Sequence, residues 1–206
     1  MLEGVVVVQH GRAAQDSVGP FAESYTGQLP ENRTQVYAVV MGNDVTNRSR
    51  DYAAIALDLP PSTTREQRMD VLARLLWEAL KDQGVSWIGF YFAPGQRLTD
   101  GRVVGPDEML LGPNRPKPAC SPIGLNGVCG QVWRSGEPMV VRDVEELGEN
   151  YVACDPRDRS EVVVPLFDGA GACWGVIDAD SFDVGAFSEH DVAGLEQVCR
   201  GAGLTR

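Results

Sequence analysis

Histidine is nearly missing from this chain: of 206 residues, only His10 and His190 carry an imidazole. Cysteines number five, yet no two form a C-x-x-C pair. Zinc takes its ligands in pairs about two to four residues apart, because one turn must present both to a tetrahedral ion. Here eight residues separate Cys120 from Cys129, and twenty-four separate Cys129 from Cys154. A metal site is therefore not expected. Five is also an odd number, ill suited to the closed disulfide framework of a secreted protein, and points to free thiols in a reducing cytoplasm.

Positive charge is the second deficit. Eighteen Lys and Arg stand against twenty-nine Asp and Glu, a net charge of −11 that repels phosphate backbones. The densest basic cluster, Arg157 and Arg159, is broken by Asp158. A nucleic-acid partner is not expected. Long apolar runs are missing too: none approaches the ~20 residues of a membrane span, so no membrane partner is expected either. The N-terminal MLEGVVVVQHGRAA has an acidic residue and no basic region before its valines, unlike a secretory leader.

What remains is an ordinary globular composition, 43% hydrophobic and 23% charged. Residues 1–50 read as an N-terminal extension, with two short apolar runs, Val5–Val8 and Gln35–Met41, of strand character. Between them Gly19-Pro20, Gly27 and Pro30 mark loops. Residues 51–206 read as the folded domain. Pro60-Pro61 precedes a helix over 65–82, started by a capping box from Thr63/Glu66 or Thr64/Gln67 and stopped by Gly84. Met69, Leu72, Ala73, Leu76, Ala79 and Leu80 share one of its faces.

The aromatic run 85–92 (VSWIGFYF) predicts a strand with Trp87 and Tyr91 on one face, positioned for core or for a pocket. A polar loop over 93–108 follows, then a short strand over 109–111 before Gly112-Pro113. A short helix is expected over 128–134 and strands over 138–141, 161–167 and 172–178, the last two joined by the Asp168–Gly171 turn. Residues 147–153 read as a loop or helical turn, and Ser188 caps a last helix over 189–201. This order gives an α+β fold, a central antiparallel sheet flanked by helices.

The chemistry concentrates between Lys117 and Asp180. Cys173 and Cys199 sit in an apolar strand and on a helix face, as small buried hydrophobes do. Cys120, Cys129 and Cys154 lie instead in loops or at a helix start. A helix N-terminus lowers a thiol pKa, which favours Cys129. Arg157 and Arg159 close to Cys154 in sequence offer a second route to a thiolate, and these effects do not rank the two. Asp178 and Asp180 alternate with Ile177 and Ala179 and so face one way in a strand; Glu161 starts the neighbouring one. Like charges gathered on one face call for a cationic ligand or a retained proton.

The segments WIGFYF, PAC, GVCG, ACD, SEVVVPL and GVIDADS together resemble the free methionine-(R)-sulfoxide reductases, which are stand-alone GAF domains. The resemblance implies a GAF-like sheet and reduction of the R-sulfoxide of the free amino acid without any cofactor. It implies Cys154 as catalytic cysteine, Cys120 as resolving cysteine and Cys129 as a third thiol. Glu161, Asp178 and Asp180, with Trp87 and Tyr91 on the aromatic strand, would hold the substrate. Cysteine would pass through a sulfenic acid to an intramolecular disulfide, reopened by a thioredoxin-like reductant, in a cytoplasmic enzyme serving oxidative stress; a homodimer is what the family suggests. The alternative from another class is a GAF module that senses a small molecule or redox state without turnover.

Overall fold

The computed structural model describes residues 50–55, 60, 63–150 and 154–206. The expected strands at 5–8 and 35–41 lie outside the described residues, as do Pro61 and 151–153 of the expected turn. Six strands form one antiparallel sheet in the order β3-β2-β1-β6-β5-β4. These are β1 Trp87–Phe92, β2 Glu108–Arg115, β3 Ile123–Gly124, β4 Met139–Val141, β5 Ser160–Phe167 and β6 Cys173–Ser181. Three helices accompany them: α1 Arg65–Leu80, α2 Val128–Ser135 and α3 Glu189–Gly201.

Alternation along the central strands divides the sheet into two unlike faces. Ile88, Phe90 and Phe92 of β1, Val162, Val164 and Leu166 of β5, and Ile177 and Ala179 of β6 join one core with Met69, Leu72 and Leu76 of α1 and Leu195 and Val198 of α3. Each large apolar side chain buried there contributes about 1.5–3 kcal/mol. The residues between them in sequence (Trp87, Tyr91, Glu161, Asp178 and Asp180) necessarily point to the other face. There α2 packs over β5 and β6. One face is the stabilising core, and the opposite face carries the polar chemistry.

The helices start and stop as their sequences direct. Thr64 and Gln67 form the reciprocal capping box of α1, and Ser188 and Asp191 form that of α3. The first helix yields to a 3₁₀ turn at Lys81–Gln83 before Gly84, two residues short of the expected end. The largest departure is β2, expected over three residues but running through Gly112-Pro113 to Arg115. Its pairing with β1 slips between Gly89↔Asn114 and Tyr91↔Leu111, so Gly112 and Pro113 together oppose Phe90. A bulge is where a strand tolerates a proline without an N–H to donate.

Arg50 belongs to the packed body. Its guanidinium is fully buried, donates to Asp191 Oδ1 at 2.6 Å and to the carbonyls of Ala186 and Gln83, and lies over the Phe187 ring. Tyr52 donates to the same Asp191 oxygen at 2.8 Å. Its ring sits against Gly194, where a Cβ would approach Tyr52 Cδ2 to 2.1 Å. Arg50–Ile55 is thereby latched to α3.

Candidate active site

Tyr91, Trp87 and the acids of β5 and β6 face one pocket because the strand register sets them side by side. Across β1 and β6 Trp87 is opposite Asp180 and Gly89 is opposite Asp178; across β5 and β6 Glu161 is opposite Asp180. Gly89 is required here by close approach: a Cβ at that position would come within 2.4 Å of the Trp87 ring. Its absence lets the indole lean along the strand toward Tyr91, the two ring centroids being 6.2 Å apart.

The polar ends of both aromatics hold the loop that carries Cys120. Trp87 Nε1 donates to the Lys117 carbonyl at 2.8 Å, and Tyr91 Oη donates to the Cys120 carbonyl at 3.1 Å. Lys117 Nζ in turn reaches Asp155 Oδ2 at 2.8 Å, bridging this loop to the one that starts with Cys154. The bridge is exposed and energetically small, yet it brings two loops into register. Cys154 accepts a hydrogen bond from the Cys120 backbone and donates its thiol proton to the Cys120 side chain, so the two thiols are neighbours. None of the five cysteines is joined in a disulfide.

The pocket is a half-open recess whose empty space, its solvent-filled mouth included, amounts to about 510 Å³. Trp87, Tyr91, Cys129, Cys154, Glu161, Asp178 and Asp180 all line it. Cys120 stands at its edge through its contact with Cys154, while Cys173 and Cys199 lie elsewhere. Cys199 is buried as expected, whereas Cys173 is only half-buried, its thiol on the Gly175 carbonyl.

Glu161, Asp178 and Asp180 each place a carboxylate oxygen within 4.8 Å of the others. Burial, and then the charges of their neighbours, push all three well above the ordinary carboxyl range, which favours their protonated forms. Glu161 Oε1 and Asp178 Oδ1 are buried without a hydrogen-bond partner among the described residues. Such an all-oxygen trio also meets the spacing of a hard cation, a donor set that an argument from Cys and His spacing does not consider.

Both sequence arguments for a thiolate are corrected by this arrangement. Cys129 does open α2, but it is fully enclosed, and burial followed by Asp178 and Glu161 raises its thiol far above the usual value. Its Sγ donates to Asp178 Oδ2 at 3.4 Å. Cys154 gains nothing from its basic neighbours: Arg157 is held by Asp155 and stacked over Phe182, and Arg159 is held by Asp143. Partial burial of the thiol, then Cys120, push Cys154 up to about 12 although the residue is exposed at the mouth. Both thiols are protonated at rest, and proton removal must accompany reaction.

Asp158 is the pocket residue that sequence reasoning missed. It registered only as an interruption between two arginines, although its position between Cys154 and Glu161 was the available signal. It is 5% exposed, and its Oδ1 accepts from Ser86 Oγ at 3.3 Å.

A GAF domain profile matches residues 62–205. The chain is 33% identical over 129 residues to the free methionine-R-sulfoxide reductase of Saccharomyces cerevisiae, covering 61% of this chain and 67% of the yeast protein. It is 31% identical over 169 residues to that of Escherichia coli, covering 81% and 86%. Among solved structures, free methionine-R-sulfoxide reductase from Neisseria meningitidis in complex with its substrate superposes with a TM-score of 0.61 at 30% identity, covering 79% of this chain and 92% of that one.

Proposed function

We propose, taking as premise that the chain belongs to the GAF-domain family and within it to the free methionine-R-sulfoxide reductases, a two-thiol reduction of free L-methionine-(R)-sulfoxide to methionine. The observation that carries this reading is the contact between Cys154 and Cys120 at the mouth of an acid-lined pocket. A sulfoxide reductase needs a nucleophile, a proton source for the departing oxygen and a second thiol within reach. All three meet here.

In the first step the Cys154 sulfur attacks the sulfoxide sulfur, having passed its proton to a carboxylate. The oxygen receives a proton from the acids; as its bond to the methionine sulfur breaks, the hydroxyl passes to the Cys154 sulfur, the transient sulfur–sulfur bond opens and methionine leaves. Cys154 ends two electrons more oxidised, as sulfenic acid, and the proton count balances because the thiol proton is carried in the S–OH group. In the second step the Cys120 thiol displaces that hydroxyl as water and forms the Cys120–Cys154 disulfide. An external dithiol of the thioredoxin type then exchanges the bond away, attacking from the solvent side where Cys154 is exposed. A reducing cytoplasm is the compartment that supplies such a dithiol.

The acids supply protons as well as ligand contacts. Carboxyls held toward their protonated forms offer donors to the sulfoxide oxygen, whose basicity rises as the bond to sulfur weakens. Trp87 and Tyr91 supply the apolar wall for a thioether-sized chain. No cofactor enters the scheme.

Methionine release from free methionine-R-sulfoxide, with dithiothreitol as reductant, tests the reading. Wild type should release methionine catalytically and Cys154→Ser should not. Silence from wild type would overturn the enzyme in favour of a ligand-sensing GAF module, whereas turnover by Cys154→Ser would move the nucleophile elsewhere.

A further inference from the structure

The loop between Cys154 and β5 sorts its charges by side. Arg157 turns outward onto Phe182 and Asp155, and Arg159 onto Asp143 and Glu145. Asp158 alone of this run turns inward and lines the pocket. Its backbone N–H closes a tight turn on the Asp155 carbonyl at 3.1 Å, and Ser86 Oγ fixes one carboxylate oxygen. Among the described residues it has no ion-pair partner. A nearly buried acid aimed into a pocket without a direct ion pair is costly unless a ligand supplies one.

The groups facing it explain why this acid differs from the three below it. Glu161 from β5 and Asp178 and Asp180 from β6 are enclosed, and each is driven further toward its protonated form by the charge of Asp158. Asp158 is less deeply enclosed. Burial and then Asp155 raise it, while Ser86, Lys117 and Arg157 pull it down, leaving it at about 6. The trio is thus biased toward neutral donors, whereas Asp158, at about 6 and lining the pocket, presents negative charge to a ligand.

We propose that Asp158 is a specificity-determining residue, the carboxylate that recognises the ammonium group of a free amino acid in this pocket. The inference rests on the proposed substrate class and adds the residue that selects it. A ligand whose amine is acylated, as in a peptide, presents no cation to Asp158 and is discriminated against there.

Turnover and binding are measured on Asp158→Asn and Asp158→Ser, which remove the charge at two different volumes. KM for free methionine-R-sulfoxide should rise at least about tenfold in both, with kcat changing less than KM, as expected for loss of a charged contact in a recess. Calorimetric affinity for methionine should fall in parallel, while the weaker affinity for N-acetylmethionine stays where it was. In wild type the affinity for methionine should weaken as pH falls through about 6, and that limb should vanish in both variants.

An unchanged KM and methionine affinity in either folded variant, or an acid limb that persists, overturns the assignment. Should both variants melt below the assay temperature, the wild type decides: a methionine affinity that is flat between about pH 5 and 7 overturns it equally. The binding arms need no turnover. Absent reductase activity would therefore sink the reaction proposed above and leave the role of Asp158 to be decided by calorimetry.

Discussion

Cys129 donates its thiol proton to Asp178 Oδ2 across 3.4 Å, in the enclosed floor of the pocket. This places the third thiol as a hydrogen-bond donor to an acid, on a helix packed against β5 and β6, while the neighbouring thiols Cys120 and Cys154 lie together at the mouth. A buried S–H with raised pKa is a poor nucleophile. Its hydroxyl counterpart is an equally good donor.

Serine should therefore substitute for Cys129 far better than alanine does. Cys129→Ser is expected to retain kcat/KM within about threefold, and Cys129→Ala to lose about tenfold, the scale of an unsatisfied buried acceptor. Steady-state kinetics on both variants provides the check. Equal losses would return Cys129 to the redox chemistry.

Cys120→Ser should separate the two half-reactions. One equivalent of methionine is released per chain, after which turnover stops and Cys154 persists as sulfenic acid. A single-turnover assay, with dimedone labelling read by mass spectrometry, distinguishes this from loss of the first step. A burst absent from Cys120→Ser would count against the resolving role.

The raised acids also predict how stability follows pH. A carboxyl whose folded pKa exceeds its unfolded value binds more protons in the folded state. Its favourable contribution is complete below the unfolded pKa, near 4, and is lost as pH climbs toward the folded value. Glu161, Asp178 and Asp180 all shift in that direction, as does Asp158 up to about 6. The ligand-free protein should melt at a higher temperature near pH 5 than near pH 8, and Glu161→Gln should flatten the slope. Calorimetric melting across that range measures it.

Arg50→Ala should be among the more damaging changes distant from the pocket. It leaves the Asp191 carboxylate, 2% exposed, without its cation, a loss of about 3–5 kcal/mol for a buried pair. Asp70→Ala, which breaks a partly exposed pair with Arg115, should cost no more than about 1 kcal/mol. Denaturant melts of the two variants compare them directly.

Much of this arrangement is written locally. The capping residues of α1 and α3, the alternation that sets Glu161, Asp178 and Asp180 opposite the core, and the helix whose first turn holds Cys129 depend on short-range periodicity and hydrogen bonding, which a chain carries wherever it folds. Trp87 and Tyr91 were assigned to one face by the same period of two. The run of β2 past Gly112-Pro113 escaped that reasoning because a bulge depends on the partner strand.

Electrostatics is where the sequence by itself misleads. Proximity along the chain promised Cys154 two cations, yet tertiary contacts drew Arg157 to Asp155 and Arg159 to Asp143, leaving the thiol with Cys120 and the acids. A helix start promised Cys129 a lowered pKa, yet burial beside Asp178 reversed the sign. Residue types and periodicity determined which groups this protein has available and which face each occupies. Only the tertiary structure decided their protonation and partners, because desolvation and Coulomb energies depend on distances across the fold, among them the inward turn of Asp158.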